Sequence, residues 1–219
     1  MIAESWYAYT IWAVICALGL LVSLAGEYRL NTGLSAGGKL VAASAYIAAA
    51  LSLGAGGMLY GQVLLVGMAF CWLGDLLLVS RDSKRLFLAG LVSFLLGHIV
   101  YIGAFAVRGI SVPFFLGACI VMAVFTLIVM RWLKPGLDDR MRLPVWAYVI
   151  AISLMMAMAT ATFSAHGGLV LFLGGLLFVV SDIAVARNRF LSPGFINRAW
   201  GLPTYFAAQL LLAASVAAT

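Results

Sequence analysis

The sequence predicts an all-α, polytopic membrane protein, a bundle of eight transmembrane helices. Of its 219 residues, 65% are hydrophobic and only 9% are charged, and the mean hydropathy is +1.15. A water-soluble domain of this size does not stay in solution with such a composition. The apolar residues come in blocks of roughly 18 to 22, the length of a bilayer-spanning helix, and do not alternate over roughly 10 residues as a membrane β-barrel requires. Charge is scarce, glycine has no strict period, and Cys16, Cys71 and Cys119 are scattered inside apolar runs. Disorder, a collagen-like repeat and a disulfide scaffold are thereby excluded.

The spans read, in order, as residues 6–25, 39–53, 58–79, 86–107, 113–133, 144–163, 168–186 and 199–218. The first carries Glu4 and no basic residue on its flank, unlike a cleavable signal peptide. The second is the shortest, and Gly54, Gly56 and Gly57 break it from the third. Between the later spans the longest loops, 131–143 and 187–198, are polar turns containing proline and glycine. No linker is long enough to separate domains, so residues 1–219 read as one integral membrane domain.

Net charge is +6, but no basic patch interleaved with aromatics suggests nucleic acid. The basic residues instead report topology. Arg29, Lys39, Arg81, Lys84, Arg85, Arg131, Lys134, Arg140, Arg142, Arg187, Arg189 and Arg198 fall in the loops after spans one, three, five and seven, and Arg108 alone falls opposite. Basic loops stay cytoplasmic, so both termini are expected outside, in a bacterial inner membrane.

Acidic residues inside spans are the informative exceptions, because each costs about 2.5–3.5 kcal/mol at the bilayer centre on insertion scales. Glu4, Glu27, Asp82, Asp138 and Asp139 lie at ends or in loops, which leaves Asp75 and Asp182. Both precede the cytoplasmic end of their span in parallel contexts, Gly74-Asp75-Leu76 and Ser181-Asp182-Ile183, and are expected at one depth. At an offset of 107 residues Gly67 falls on Gly174, Asp75 on Asp182 and His98 on Tyr205, which suggests a 4+4 internal duplication with halves 1–107 and 108–219. Such a repeat gathers spans three, four, seven and eight and turns both carboxyls toward one cavity. Span four carries Phe94, His98, Tyr101 and Phe105 on one helical stripe, and span eight carries Tyr205 and Gln209 four apart.

Each of these residues also has a plain structural explanation. A buried aspartate can be a hydrogen-bond anchor between helices, and His98, Tyr101, Tyr205 and Gln209 can be interhelical packing groups. Lys39 at a span boundary would snorkel toward the headgroups. Arg81, Arg187 and Arg189 are accounted for by topology or by a grip on a lipid phosphate, and His166 in an outside turn is expected to be solvated.

The run Phe70-Cys71-Trp72-Leu73-Gly74-Asp75-Leu76-Leu77-Leu78, then Phe87-Leu88-Ala89-Gly90, Phe94, His98 and Tyr101, resembles the YhhN family of membrane lysoplasmalogenases. So do Gly175, Phe178, Ser181-Asp182 and Phe190, followed by Trp200, Thr204-Tyr205 and Gln209, and Lys39 and Tyr148 fall where that family places a lysine and a tyrosine. The resemblance implies hydrolysis of the vinyl ether of a lysoplasmalogen to a fatty aldehyde and glycerophosphocholine or glycerophosphoethanolamine, with Asp75 and Asp182 as the catalytic pair. A vinyl ether opens by protonation of the carbon β to oxygen, so one carboxyl must hold a proton while the other, ionised, stabilises the cation and orients water. Which is the acid stays open. His98, if charged and beside Asp75, would favour Asp182. Tyr101, Tyr205 and Gln209 would position water or glycerol, and Lys39 or the loop arginines would take the phosphate. Lysophospholipid substrate and membrane lipids are the expected partners, with no cofactor.

Two other classes fit part of the pattern. Inward-facing Asp, His and Tyr also describe a proton-coupled transporter, although midplane proline or glycine breaks are not conspicuous. A metal-dependent lipid hydrolase would use Asp75, Asp182 and His98, yet the chain has two histidines and no zinc spacing.

Overall fold

No water is available in a bilayer core to satisfy peptide groups, so apolar blocks of this length must close their hydrogen bonds internally, and here each does so as a helix. The computed structural model describes residues 2–79 and 83–218. Its helices are α1 (Ile2–Tyr28), α2 (Thr32–Ser52), α3 (Leu59–Leu77), α4 (Lys84–Arg108), α5 (Val112–Leu133), α6 (Asp139–His166), α7 (Leu169–Phe190) and α8 (Phe195–Ala214). Short 3-10 turns occupy Ala55–Gly57, Lys134–Gly136 and Ser215–Ala218. All eight helices are long and apolar enough to cross a membrane, and no strand occurs among the described residues. Arg81 and Asp82 lie outside the described residues.

Two boundaries near the site differ from the sequence expectation. The second span starts at Thr32, where the Asn31 side chain caps the helix by accepting from the Leu34 N–H at 3.0 Å. It is therefore not short, and Lys39 lies inside it, 6% exposed. Gly38 serves packing: a Cβ there would run into the backbone of Gly19 and Ser23 on α1. The seventh span continues through Arg187 and Arg189 to Phe190, so these arginines belong to its last turn and not to a loop. Pro203 lies inside α8, two residues before Tyr205, and Pro144 lies inside α6, and both helices run on through their prolines.

Short connections fold the chain into antiparallel pairs, α1 on α2, α3 on α4, α5 on α6 and α7 on α8. Between pairs, α2 packs on α8 as α4 packs on α6, and α2 meets α3 as α6 meets α7. Helices α1 and α5 bury the smallest share of their surface and present Leu, Ile and Val outward, which suits lipid. The interior is built on Tyr46, Leu64, Tyr101, Phe105, Phe178 and Phe206, all fully buried. At the end of the bundle away from the basic residues, Arg108 donates to the Ser215 carbonyl at 2.9 Å and lies over the Tyr60 ring, whose hydroxyl meets Ser215 Oγ. Arg108 thus closes the end of α8 against α3 and α4.

The site is positioned by the close approach of α3 and α4. A Cβ at Gly67 would enter the Tyr101 ring, and one at Gly74 would enter the Phe94 ring. Glycine at these two places lets two aromatic residues of the α4 stripe lie flat against α3.

Candidate active site

Asp75 sits in the last turn of α3 at 3% exposure. Its Oδ2 accepts the Tyr205 hydroxyl from α8 at 2.6 Å. Tyr205 in turn receives the Gln209 amide at 3.4 Å, and Gln209 Oε1 accepts the Tyr101 hydroxyl at 2.8 Å. The result is a buried chain from α4 through α8 to the carboxyl on α3. Tyr46 of α2 adds to it with its hydroxyl 3.4 Å from that of Tyr205 and 3.3 Å from the Met68 carbonyl. Lys39 of α2 lines the same cavity as Asp75. A lone Lys at the bilayer edge would snorkel outward, but this one is buried and shares a cavity with a carboxyl.

Asp182 sits on α7, its side chain 15% exposed. Its Oδ2 accepts the Tyr148 hydroxyl from α6 at 2.8 Å. His98 Nε2 stands 3.8 Å from the same oxygen. The expectation that His98 belongs at the side of Asp75 is therefore corrected. Its ring packs edge-to-face on Tyr148 and Phe178, with centroids 5.2 and 4.8 Å away. Phe178 also meets Tyr101 and Tyr205, so one ring separates the two carboxyl clusters. In the order of the chain, His98 from the first half faces Asp182 in the second, while Tyr205 from the second half holds Asp75 in the first.

Both carboxyls line one cavity of about 190 Å³, as do Lys39, Tyr148 and Tyr205. His98, Tyr101 and Gln209 do not line it and stand behind it, which changes their expected part from substrate contact to support. One wall is apolar and comes from α5, α6 and α7, including Phe125, Val129, Val149 and Val179. The other end holds Arg189, Asn197 and Arg198. Arg198 is committed to Glu27, Nη1 to Oε1 at 2.7 Å, and the same oxygen takes the Ser35 hydroxyl at 2.6 Å. Arg189 lies over the Phe87 ring, 4.1 Å from its centroid. Asn197, buried, accepts from Arg187 and donates to the Ser192 carbonyl at 2.7 Å, pinning the α7–α8 turn. Among the described residues, no three His, Cys, Asp or Glu side chains gather as a metal site would need.

Sequence reasoning missed Tyr46 and Glu27. Tyr46 is a phenol set in an alanine-rich helix, and that contrast was the available clue. Glu27 looks peripheral in the sequence and is buried only because α2 and α8 close over it.

An all-helical integral membrane protein whose cavity joins two carboxyl groups, an apolar wall and a basic end is the class that the fold and site define. Within that class the chain belongs to the YhhN family, whose model matches residues 34–216. It is similar to Lysoplasmalogenase TMEM86A of Bos taurus, with 32% identity over 156 residues, 68% of this chain and 63% of that protein. The human protein of the same name matches to the same extent. Lysoplasmalogenase of Mycobacterium tuberculosis is 30% identical over 148 residues, 64% of this chain and 55% of that protein. The chain thus spans less than two thirds of the length of these curated relatives. No solved structure matches it.

Proposed function

We propose that this protein hydrolyses the vinyl ether bond of a lysoplasmalogen, releasing a fatty aldehyde and glycerophosphocholine or glycerophosphoethanolamine. The observation that carries the reading is that Asp75 and Asp182, from different helices, line one cavity that is apolar at one wall and basic at one end. Relatives named for this activity support it. The single chain of the lysolipid lies along the α5–α6–α7 wall, and the phosphate lies at Arg189, whose charge has no carboxylate partner among the ion pairs of the described residues.

Asp182, whose nearest polar neighbours are a phenol and an imidazole, is the acid. Asp75, which shares the cavity with the Lys39 charge, is the base. Asp182 gives its proton to the vinyl carbon β to oxygen, and the electron pair of the double bond forms the new C–H bond, leaving an oxocarbenium ion. Water adds to the cationic carbon as Asp75 removes its proton, giving a hemiacetal. Asp75 then returns that proton to the glycerol oxygen as the C–O bond breaks, and Asp182 takes the hydroxyl proton of the hemiacetal. Aldehyde and alcohol leave, and both carboxyls regain their starting states.

The pairing of helices, repeated between the first four and the last four, supports reading the chain as a 4+4 duplication in one domain. The basic end supports placing the cavity on the cytoplasmic side of a bacterial inner membrane, with both termini outside. The test is aldehyde release from a lysoplasmalogen by protein purified in detergent. Asp75→Asn and Asp182→Asn are each expected to abolish it, and full activity in either variant defeats the acid–base scheme. Loss with a chelator and recovery with zinc would place a metal in the reaction. Uptake into proteoliposomes driven by a pH gradient, with no lipid turnover, would replace hydrolysis by transport.

A further inference from the structure

His98 is fully buried, and neither ring nitrogen has a hydrogen-bond partner among the described residues. Unpaired buried nitrogens are unfavourable, and a ring kept in that condition needs a reason. Its packing on Tyr148 and Phe178 holds it beside Asp182, with Nε2 at 3.8 Å from Oδ2, about 1 Å beyond a hydrogen bond. That same oxygen is the one Tyr148 donates to.

We propose that His98 is a positioning residue for Asp182, carrying its proton on Nε2 and donating it as a hydrogen bond to the Asp182 carboxylate that forms during turnover. The inference rests on the role given to Asp182 above. In the resting state Tyr148 is the sole hydrogen-bond donor to the carboxyl among the described contacts. When Asp182 has lost its proton to substrate, the charged carboxylate closes the remaining gap and takes the His98 N–H as a second donor. No proton leaves His98. A bond made only after the proton has moved lowers the barrier without strengthening substrate binding, so its loss falls on kcat. Tyr205, the position equivalent to His98 at the 107-residue offset, already makes the corresponding bond to Asp75. The two carboxyls are thus served crosswise, one by a bond made in advance and one by a bond held in reserve.

Two measurements test this. In the first, His98→Phe is expected to lower kcat about tenfold or more with KM nearly unchanged, and His98→Gln, whose amide can place a donor near the Nε2 position, is expected to regain most of it. A rise in KM alone, or no recovery in His98→Gln, overturns the proposal. The second needs no activity and no change at His98. The chain has two histidines, and His166 is exposed, so ring-15N histidine in a His166→Gln protein reports His98 alone by NMR. The Nε2–H tautomer is expected, with signals that move in Asp182→Asn and stay in place in Asp75→Asn. An Nδ1–H tautomer, or signals indifferent to Asp182→Asn, rejects the role of His98. Wild-type protein inert toward lysoplasmalogen rejects the substrate instead, which the NMR result does not depend on.

Discussion

Tyr205 donates to Asp75 and receives from Gln209, so deleting its hydroxyl leaves a buried carboxyl and an amide short of a partner. A hydrogen bond to a charged group contributes about 1.5–3 kcal/mol. Tyr205→Phe is therefore expected to lower kcat for aldehyde release at least about tenfold, and Tyr148→Phe to do the same through Asp182. Tyr7→Phe, at a ring 72% exposed on α1, is the control and is expected to change nothing. Arg189 separates binding from chemistry. Arg189→Ala removes the proposed phosphate partner, so KM is expected to rise several-fold with kcat close to wild type, read from steady-state kinetics across lysolipid concentrations. A fall in kcat at unchanged KM would remove Arg189 from the binding site.

Helix contacts decide whether the residues meet at all. Valine at Gly74 has to displace the Phe94 ring, which also packs on Tyr205 at 5.8 Å. Overpacking of this kind costs about 1–3 kcal/mol. Gly74→Val is expected to lower the thermal midpoint in detergent and, by pushing α4 from α3, to reduce turnover as well. The Glu27–Arg198 pair ties α8 to α1, and the Ser35 hydroxyl adds α2. Removing one charge from a fully buried pair costs about 3–5 kcal/mol, and less here because Arg198 is 28% exposed and Glu27 keeps the Ser35 hydroxyl. Arg198→Met alone should destabilise the protein, and Arg198→Met with Glu27→Leu should recover much of the loss. Chemical denaturation of the four proteins of that cycle measures the coupling.

At the scale of the molecule, the charge asymmetry predicts an orientation. Lys84, Arg85, Arg131, Lys134, Arg140, Arg142, Arg187, Arg189 and Arg198 all sit at the end of the bundle where α3, α5 and α7 finish and α4, α6 and α8 begin. A reporter inserted at Gly136 is expected to read as cytoplasmic, and one fused at either terminus as outside. A cytoplasmic signal from a terminal fusion would contradict that orientation. The two cavity carboxyls then open toward the leaflet that presents the basic groups, so lysolipid added to that side of oriented vesicles should be turned over first.

Composition and the spacing of apolar blocks made this an eight-helix membrane protein, because peptide groups in hydrocarbon have no alternative to internal hydrogen bonds and the blocks have the bilayer's length. They also singled out Asp75 and Asp182, since a carboxyl inside a span is expensive enough to stand out from the apolar background. The residues around them were less legible. Hydropathy reads position along the chain and not neighbours across it, so it made Lys39 a boundary lysine, Arg187 and Arg189 loop residues, and Glu27 a peripheral acid. Helix packing brought Lys39 into the cavity with Asp75, buried Glu27 against Arg198 and set His98 by Asp182 and not by Asp75. Periodicity placed His98 and Tyr205 on the right faces, but which carboxyl each serves depends on the rotation and approach of α4 and α8 against α7 and α3. Contacts between elements far apart in sequence set that geometry, which no local pattern encodes.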